Sequence, residues 1–181
     1  MTVIAITEKL IGTLSEAYYK EFCDQTGWAY VSLEQIHERG INKDILKFKK
    51  GFDRVYVKIP KEIIPEIAEI STPTNQNLYA PSYVYDFLAC YVGKGKKHHV
   101  IVDDREKRHF CWVEVKTGRN ELSPNQVKTL KKLSLRLFRF RVPYPLPKEP
   151  PYIHYDQVNS EYLVNHSLDA EGNQLWKKYP T

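Results

Sequence analysis

Nowhere in the chain do eighteen apolar residues run together, so no membrane-spanning helix is expected. Cysteine is scarce: Cys23, Cys90 and Cys111 make an odd number and lack the paired spacing of a zinc site. They read as reduced packing residues in a cytoplasmic protein. The start, Met1-Thr2-Val3-Ile4-Ala5-Ile6, lacks the basic stretch and long apolar core of a secretory signal. No internal repeat is visible.

What the chain does contain is apolar and aromatic material enough for one core, 42% hydrophobic and 13% aromatic. Residues 1–142 read as one domain, with an insertion at about 34–80. Residues 143–181 read as a proline-rich linker and tail, with five of the eleven prolines between Pro143 and Pro151. The net charge of +5 hides an asymmetry. Residues 93–142 carry fourteen Lys/Arg against five Asp/Glu, and the remainder is acidic on balance. Clustered positive charge favours polyanions, because phosphate contacts release counterions.

Thr7 to Thr26 reads as a helix, with Leu10, Leu14, Ala17 and Phe22 as its apolar side, Gly12 as a candidate break and Gly27 as a stop. Thr13 and Glu16 have capping-box spacing. Trp28 to Leu33 reads as a strand. Within the insertion, Arg54 to Ile59 alternates as a strand and Lys61 to Ile70 has a helical apolar face. Ser71 to Ser82 reads as a loop. Tyr83 to Val92 reads as a strand with one charge inside it, Asp86. A basic turn from Gly93 to Lys97, a short strand from His98 to Val102 and a charged turn from Asp103 follow. Phe110 to Lys116 is a buried-looking strand. Ser123-Pro124 opens a helix with Val127, Leu130, Leu133 and Leu137 on one side and Lys128, Lys131, Lys132 and Arg136 on the other. Phe138 to Val142 alternates as a half-exposed strand. The pattern is α/β with a mixed sheet.

The chemistry centres on Phe110 to Gln126. Side chains two apart on a strand share a face, so Glu114 and Lys116 stand side by side while Val113 and Val115 face the core. Asp86 lies in an apolar strand, where an unpaired carboxylate is costly. Two carboxylates on neighbouring strands make a hard oxygen site suited to Mg²⁺ or Mn²⁺, and the Val115 carbonyl offers a third oxygen. A lysine beside such an ion can orient or deprotonate water. These are the parts of metal-assisted phosphodiester hydrolysis. Each part also has an ordinary reading. Asp86 can be a salt-bridge partner of Lys116, Glu114 and Lys116 a surface ion pair, and Gln126 the partner of Ser123 in a capping box. Asp103 and Asp104 compete with Asp86 for the acidic role, although an Asp-Asp pair beside Arg105 suits a turn.

Asp86 followed by Glu114-Val115-Lys116, with Leu122-Ser123-Pro124-Asn125-Gln126, resembles the PD-(D/E)xK nuclease superfamily, the restriction-endonuclease-like fold. Its branch of VRR-NUC domains and archaeal Holliday-junction resolvases is the most similar. Tyr85 stands where the motif has proline, and the match spans Tyr83 to Val142. The resemblance implies an αβββαβ core, a mixed central sheet flanked by helices. It implies a Mg²⁺- or Mn²⁺-dependent endonuclease on branched or junction DNA, of a kind used in repair and recombination. Asp86, Glu114 and the Val115 carbonyl would hold the metal, with Lys116 and Gln126 in catalysis and Glu16 joining from the first helix. Arg119, Lys128, Lys131, Lys132, Lys96 and Lys97 would contact the DNA backbone. A homodimer suits symmetric cutting of two strands. The alternative is a non-catalytic nucleic-acid-binding module or subunit on the same fold.

Overall fold

A computed structural model describes residues 3–93, 101–146 and 154–158. Its elements run α1 (Val3–Gln25), β1 (Trp28–Ser32), α2 (Leu33–Arg39), β2 (Ile45–Lys50), β3 (Asp53–Lys58), α3 (Ile64–Ile70), β4 (Phe87–Tyr91), β5 (Ile101–Val102), β6 (Phe110–Thr117), α4 (Pro124–Thr129), β7 (Arg136–Val142) and β8 (His154–Gln157). Among the described residues the eight strands form one mixed sheet in the order β5-β3-β2-β1-β4-β6-β7-β8. At its centre β1 pairs antiparallel with β4, β4 antiparallel with β6, and β6 parallel with β7. No helix among the described residues is long and apolar enough to cross a membrane.

Each face of the sheet is covered by a different part of the chain. On one face α1 buries Tyr19, Phe22 and Cys23 against Phe87, Val113 and Phe140. The Tyr19 ring lies 4.7 Å from Phe140 and 5.0 Å from Phe87, centroid to centroid. On the other face Leu33, Ile36, Ile63, Ile67 and Ile70 cover Phe48, Val57, Leu88 and Trp112. The stretch 34–80 is therefore built into the fold: α2 and α3 roof one face, and the β2–β3 hairpin widens the sheet beyond β1.

Several local expectations give way to packing. The first helix runs through Gly12 without a break, and the Thr13 hydroxyl donates back to the Lys9 carbonyl at 3.0 Å instead of capping. Leu10 and Leu14 are exposed, because Ser15, Tyr19, Phe22 and Cys23 form the buried side. At the end of α1 the last carbonyls are met by the Lys50 ammonium, which donates to Cys23 at 2.8 Å and to Thr26. Gly27 serves close approach: a Cβ there would sit 2.3 Å from the Tyr91 ring. Ser32 ends β1 early by capping α2, accepting from the Gln35 N–H at 3.2 Å.

The helix opened by Ser123 is also shorter than its apolar spacing suggests. It stops at Thr129, passes through a 3-10 turn at Leu130–Lys132, and leaves Val127 exposed and Leu137 inside β7. Glu66 of α3 draws the chain away. Its carboxylate accepts from Trp112 Nε1 at 3.0 Å, from the N–H groups of Ser134 at 2.9 Å and Leu135 at 3.1 Å, and from the Ser134 hydroxyl. Residues 154–157, part of the expected tail, pair antiparallel with β7, and Tyr155 is buried with its ring stacked 4.8 Å from Phe140. Of the strand expected from His98, Ile101–Val102 lies within the described residues and pairs with β3.

Burial pushes the Glu66 carboxyl up, but the bonds from Ser134, Trp112 and Leu135 outweigh it and hold it below its ordinary value. A depressed acid adds stability that is present above its unfolded value and lost as pH falls through the folded one. Glu66→Ala should cost about 2 kcal/mol at pH 7, a Tm loss of about 4–8 °C. In calorimetric melts the gap to wild type should narrow as pH falls below about 4.

Candidate functional site

Asp86 lies one residue before β4 and closes the β4–β6 ladder. Its N–H donates to the Val113 carbonyl at 3.1 Å, and its Oδ2 accepts from the Val115 N–H at 2.7 Å. The carboxylate thus takes a donor that a longer β4 would have met with a main-chain oxygen. This is why the expected strand from Tyr83 begins at Phe87. Phe87 pairs with Val113 in the ladder, so Asp86 and Glu114 come opposite one another.

Glu114 is 6% exposed and Lys116 follows on the same face, its Nζ 3.2 Å from Glu114 Oε1. Glu114 Oε2 is buried and has no hydrogen-bond partner among the described residues. Burial raises the Asp86 carboxyl well above the carboxylate range, and the negative charge of Glu114 raises it further. Glu114 is raised by burial, against the pull of Lys116. The two acids face each other in a poorly solvated site and repel when both are ionised. Glu16, half-buried on α1, is raised by burial and then by the charge of Asp86, which places its carboxyl towards the pair. Beside it the Ser15 and Thr117 hydroxyls meet at 2.6 Å and tie α1 to the end of β6.

Gln126 is buried and its polar atoms are engaged. Oε1 accepts from the Ser123 N–H at 2.9 Å and Nε2 donates to the Val84 carbonyl at 2.9 Å. The capping box with Ser123 is complete. The Gln126 carbonyl accepts from the Tyr85 hydroxyl at 2.9 Å. Sequence reasoning treated Tyr85 only as a missing proline. It is a buried strut that holds the start of α4 against the segment carrying Asp86, and its position beside Asp86 was the available signal. Gln126 still lies near enough to Glu114 to favour the ionised acid, after burial and Lys116.

The remaining expected residues do not gather here. Asp103 and Asp104 are exposed beyond β5, at the far edge of the sheet, so Asp86 is the aspartate opposite Glu114. Arg119, Lys128, Lys131 and Lys132 are exposed on the turn after β6, on α4 and on the 3-10 turn; Lys132 pairs with Glu69 at 3.6 Å. Lys96 and Lys97 lie outside the described residues. The arginines of β7 are engaged internally: Arg139 by Asp156 and Glu121, Arg141 by Glu121 and the Gly118 and Asn120 carbonyls.

The arrangement offers carboxylate oxygens and one ammonium, the hard donor set that suits Mg²⁺ or Mn²⁺. Among the described residues no three His, Cys, Asp or Glu side chains form a ready-made metal cluster. The feature that fits an ion is the buried Glu114 Oε2 without a donor. No family model, no curated protein and no solved structure matches the chain.

A raised carboxyl adds stability that is present below its unfolded value and lost as pH rises through the folded one. Asp86 should therefore weaken the fold between its unfolded value of about 3.9 and neutrality, the opposite sense to Glu66. Without divalent ions, Asp86→Asn keeps an oxygen for the Val115 N–H and removes the charge. Its Tm at pH 7.5 should exceed wild type by about 2–4 °C, near 1 kcal/mol, with the difference shrinking towards pH 4. A lower Tm for Asp86→Asn at pH 7.5 would show that ionised Asp86 is stabilising.

Proposed function

We propose that the protein is a metal-dependent nuclease that hydrolyses phosphodiester bonds in DNA. The observation that carries this reading is the meeting of the Asp86 and Glu114 carboxyls at the end of paired strands, with Lys116 beside Glu114. A second support is the element order. With α2, β2, β3 and α3 set aside as an insertion and β5 as an edge addition, α1, β1, β4, β6, α4 and β7 follow the αβββαβ order of restriction-endonuclease-like nucleases. Asp86 and Glu114 with Glu-x-Lys spacing are similar to that superfamily's motif.

In this reading Asp86, Glu114 and the Val115 carbonyl hold Mg²⁺ or Mn²⁺. Such an ion polarises a phosphoryl oxygen and lowers the pKa of a water bound to it. The chain's own groups supply the rest. The Asp86 carboxylate is kept in place by the Val115 N–H, so its second oxygen is aimed without a search over rotamers. Lys116 shares the strand face with Glu114 and is placed to orient the attacking water or to offset charge on the phosphate in the transition state. Gln126 is a positioning residue, because its amide is committed to the cap and to Val84. Glu16 on α1 feels the charge of Asp86 and would join the site from that side. Contacts from Arg119, Lys128 and Lys131 to phosphates give affinity without sequence readout, which suits selection of branched or junction DNA by shape.

A second reading, a non-catalytic nucleic-acid-binding subunit, is favoured by the direct Lys116–Glu114 pair and by the lack of a third clustered ligand among the described residues. Incubation with plasmid and four-way-junction DNA separates the two. Cleavage is expected with Mg²⁺ and none with EDTA. Glu114→Ala and Lys116→Ala should each lower the rate by about 10²-fold or more. Cleavage that survives both substitutions would remove this site from the chemistry; binding without cleavage of any substrate would favour the second reading.

A further inference from the structure

The hairpin β2–β3 takes no part in the acid pair, yet it gathers cations. Strand alternation turns Leu46, Phe48, Val55 and Val57 into the core and leaves Lys47, Lys49, Arg54 and Lys58 on the other side. In the ladder Lys49 stands directly opposite Arg54, a like-charge pair that weakens a sheet. Arg39 at the end of α2 adds a further charge. The Lys47 ammonium is held below its ordinary basicity by burial and then by Arg39, Arg54 and Lys49, so these charges converge on one another. Among the described residues none of the five has an acidic partner, whereas Arg139 and Arg141 of β7 are paired with acids. The acids near the tip, Asp24 and Asp53, act on Lys50, whose ammonium is tied to the end of α1. Among the described residues α1 packs mainly on β1 and β6 and touches β2 less, so no described helix covers this face.

The tip adds a second, independent observation. Gly51, at φ +63°, makes the turn, and Phe52 beyond it is fully exposed, although a phenyl ring is ordinarily buried. A row of unpaired cations ending in an accessible aromatic ring is the combination that holds a single strand, phosphates on the row and a base on the ring.

We propose that the open face of β2–β3 binds a single-stranded stretch of nucleic acid, with phosphates on Lys47, Lys49, Arg54 and Lys58 and an unpaired base stacked on Phe52. The cations and the acid pair lie on opposite faces of the sheet: Lys49 pairs with Tyr30 on the α1 side, whereas strand alternation puts Glu114 on the side of Trp112. Lys49 pairs with Tyr30, and Ser32 with Phe87, so Ile45 and Lys58 lie at the sheet end where Asp86 meets Glu114. β2 is two strands from β4, about 10 Å, and Phe52 lies about 23 Å along the hairpin from Ile45. A strand held here runs along the α1 side to the sheet end at which the acid pair sits on the opposite face. The purpose of the binding rests on the nuclease reading; the binding itself does not.

The test is fluorescence anisotropy of a labelled single strand of about 20 nucleotides, titrated in EDTA so that no cleavage intervenes. Four phosphate contacts predict a slope of log affinity on log salt of about −3 for the wild type. The double variant Lys47→Glu/Arg54→Glu should bind about tenfold more weakly or worse, with the slope reduced in size by about 1.4. Lys49→Ala should weaken binding in the same direction without charge reversal. Phe52→Ala should weaken the single strand about fivefold or more and leave duplex binding unchanged. All of these positions are at the surface, and unchanged melts confirm folding. Binding in EDTA and cleavage in Mg²⁺ are read separately for each hairpin variant, so a failed nuclease reading and a failed hairpin site give different results. Wild-type affinity in the hairpin variants overturns the proposal. So does wild-type protein that binds vesicles of anionic lipid but no single strand.

Discussion

The Asp86 carboxylate accepts the Val115 N–H, and the geometry of the site depends on that bond. It ends the β4–β6 ladder with a side chain where a main-chain oxygen would continue it. A charged group is thereby fixed at the sheet end, opposite Glu114. The surrounding structure holds this arrangement from three sides. Ser15 meets Thr117 from α1, Tyr85 reaches the Gln126 carbonyl, and Gln126 binds back to Val84. Each tie has a structural effect and together they leave the two acids little freedom to move apart.

The result is a conflict of charge inside a well-packed sheet. Burial disfavours ionisation of both acids, and their proximity disfavours ionising both at once. Lys116 relieves one side of it by pairing with Glu114 Oε1; among the described residues no donor is placed on the buried Oε2, and the carboxylate faces Asp86 and Gln126. A proton or a cation can relieve the rest. A fold selected for stability alone would replace such a pair with apolar residues of similar size. The presence of this pair in a packed sheet is the physical reason for reading a site here.

Much of this was legible in the chain. The isolation of Asp86 among apolar residues and the Glu-x-Lys spacing followed from strand periodicity and from the cost of burying charge. The Ser123–Gln126 cap and the alternation of Phe138 to Val142 were equally local. What was not legible came from contacts between distant segments. Glu66 ends the helix after Ser123 early, because four bonds to Trp112, Ser134 and Leu135 outweigh the helical spacing of Leu133 and Leu137. Charge counted by segment does not show which cations are paired. In residues 93–142, Glu121 and Asp156 pair with Arg139 and Arg141, while Arg119, Lys128 and Lys131 stay exposed. The stretch 34–73 is nearly balanced in sequence, but its acids lie largely on α2 and α3 and most of its cations on the hairpin, so folding separates them.

The central claim is that Asp86 and Glu114 form an oxygen site for a divalent cation. The most direct measurement is the melting temperature of the wild type and of Glu114→Gln at pH 7.5, in EDTA and in Mn²⁺. An ion bound only by the folded chain at a hundred times its Kd adds about 2.7 kcal/mol. The wild-type Tm should then rise by about 5–10 °C in Mn²⁺, and that of Glu114→Gln should not. A wild-type Tm unmoved by millimolar Mn²⁺, or an equal rise in both proteins, would contradict the account.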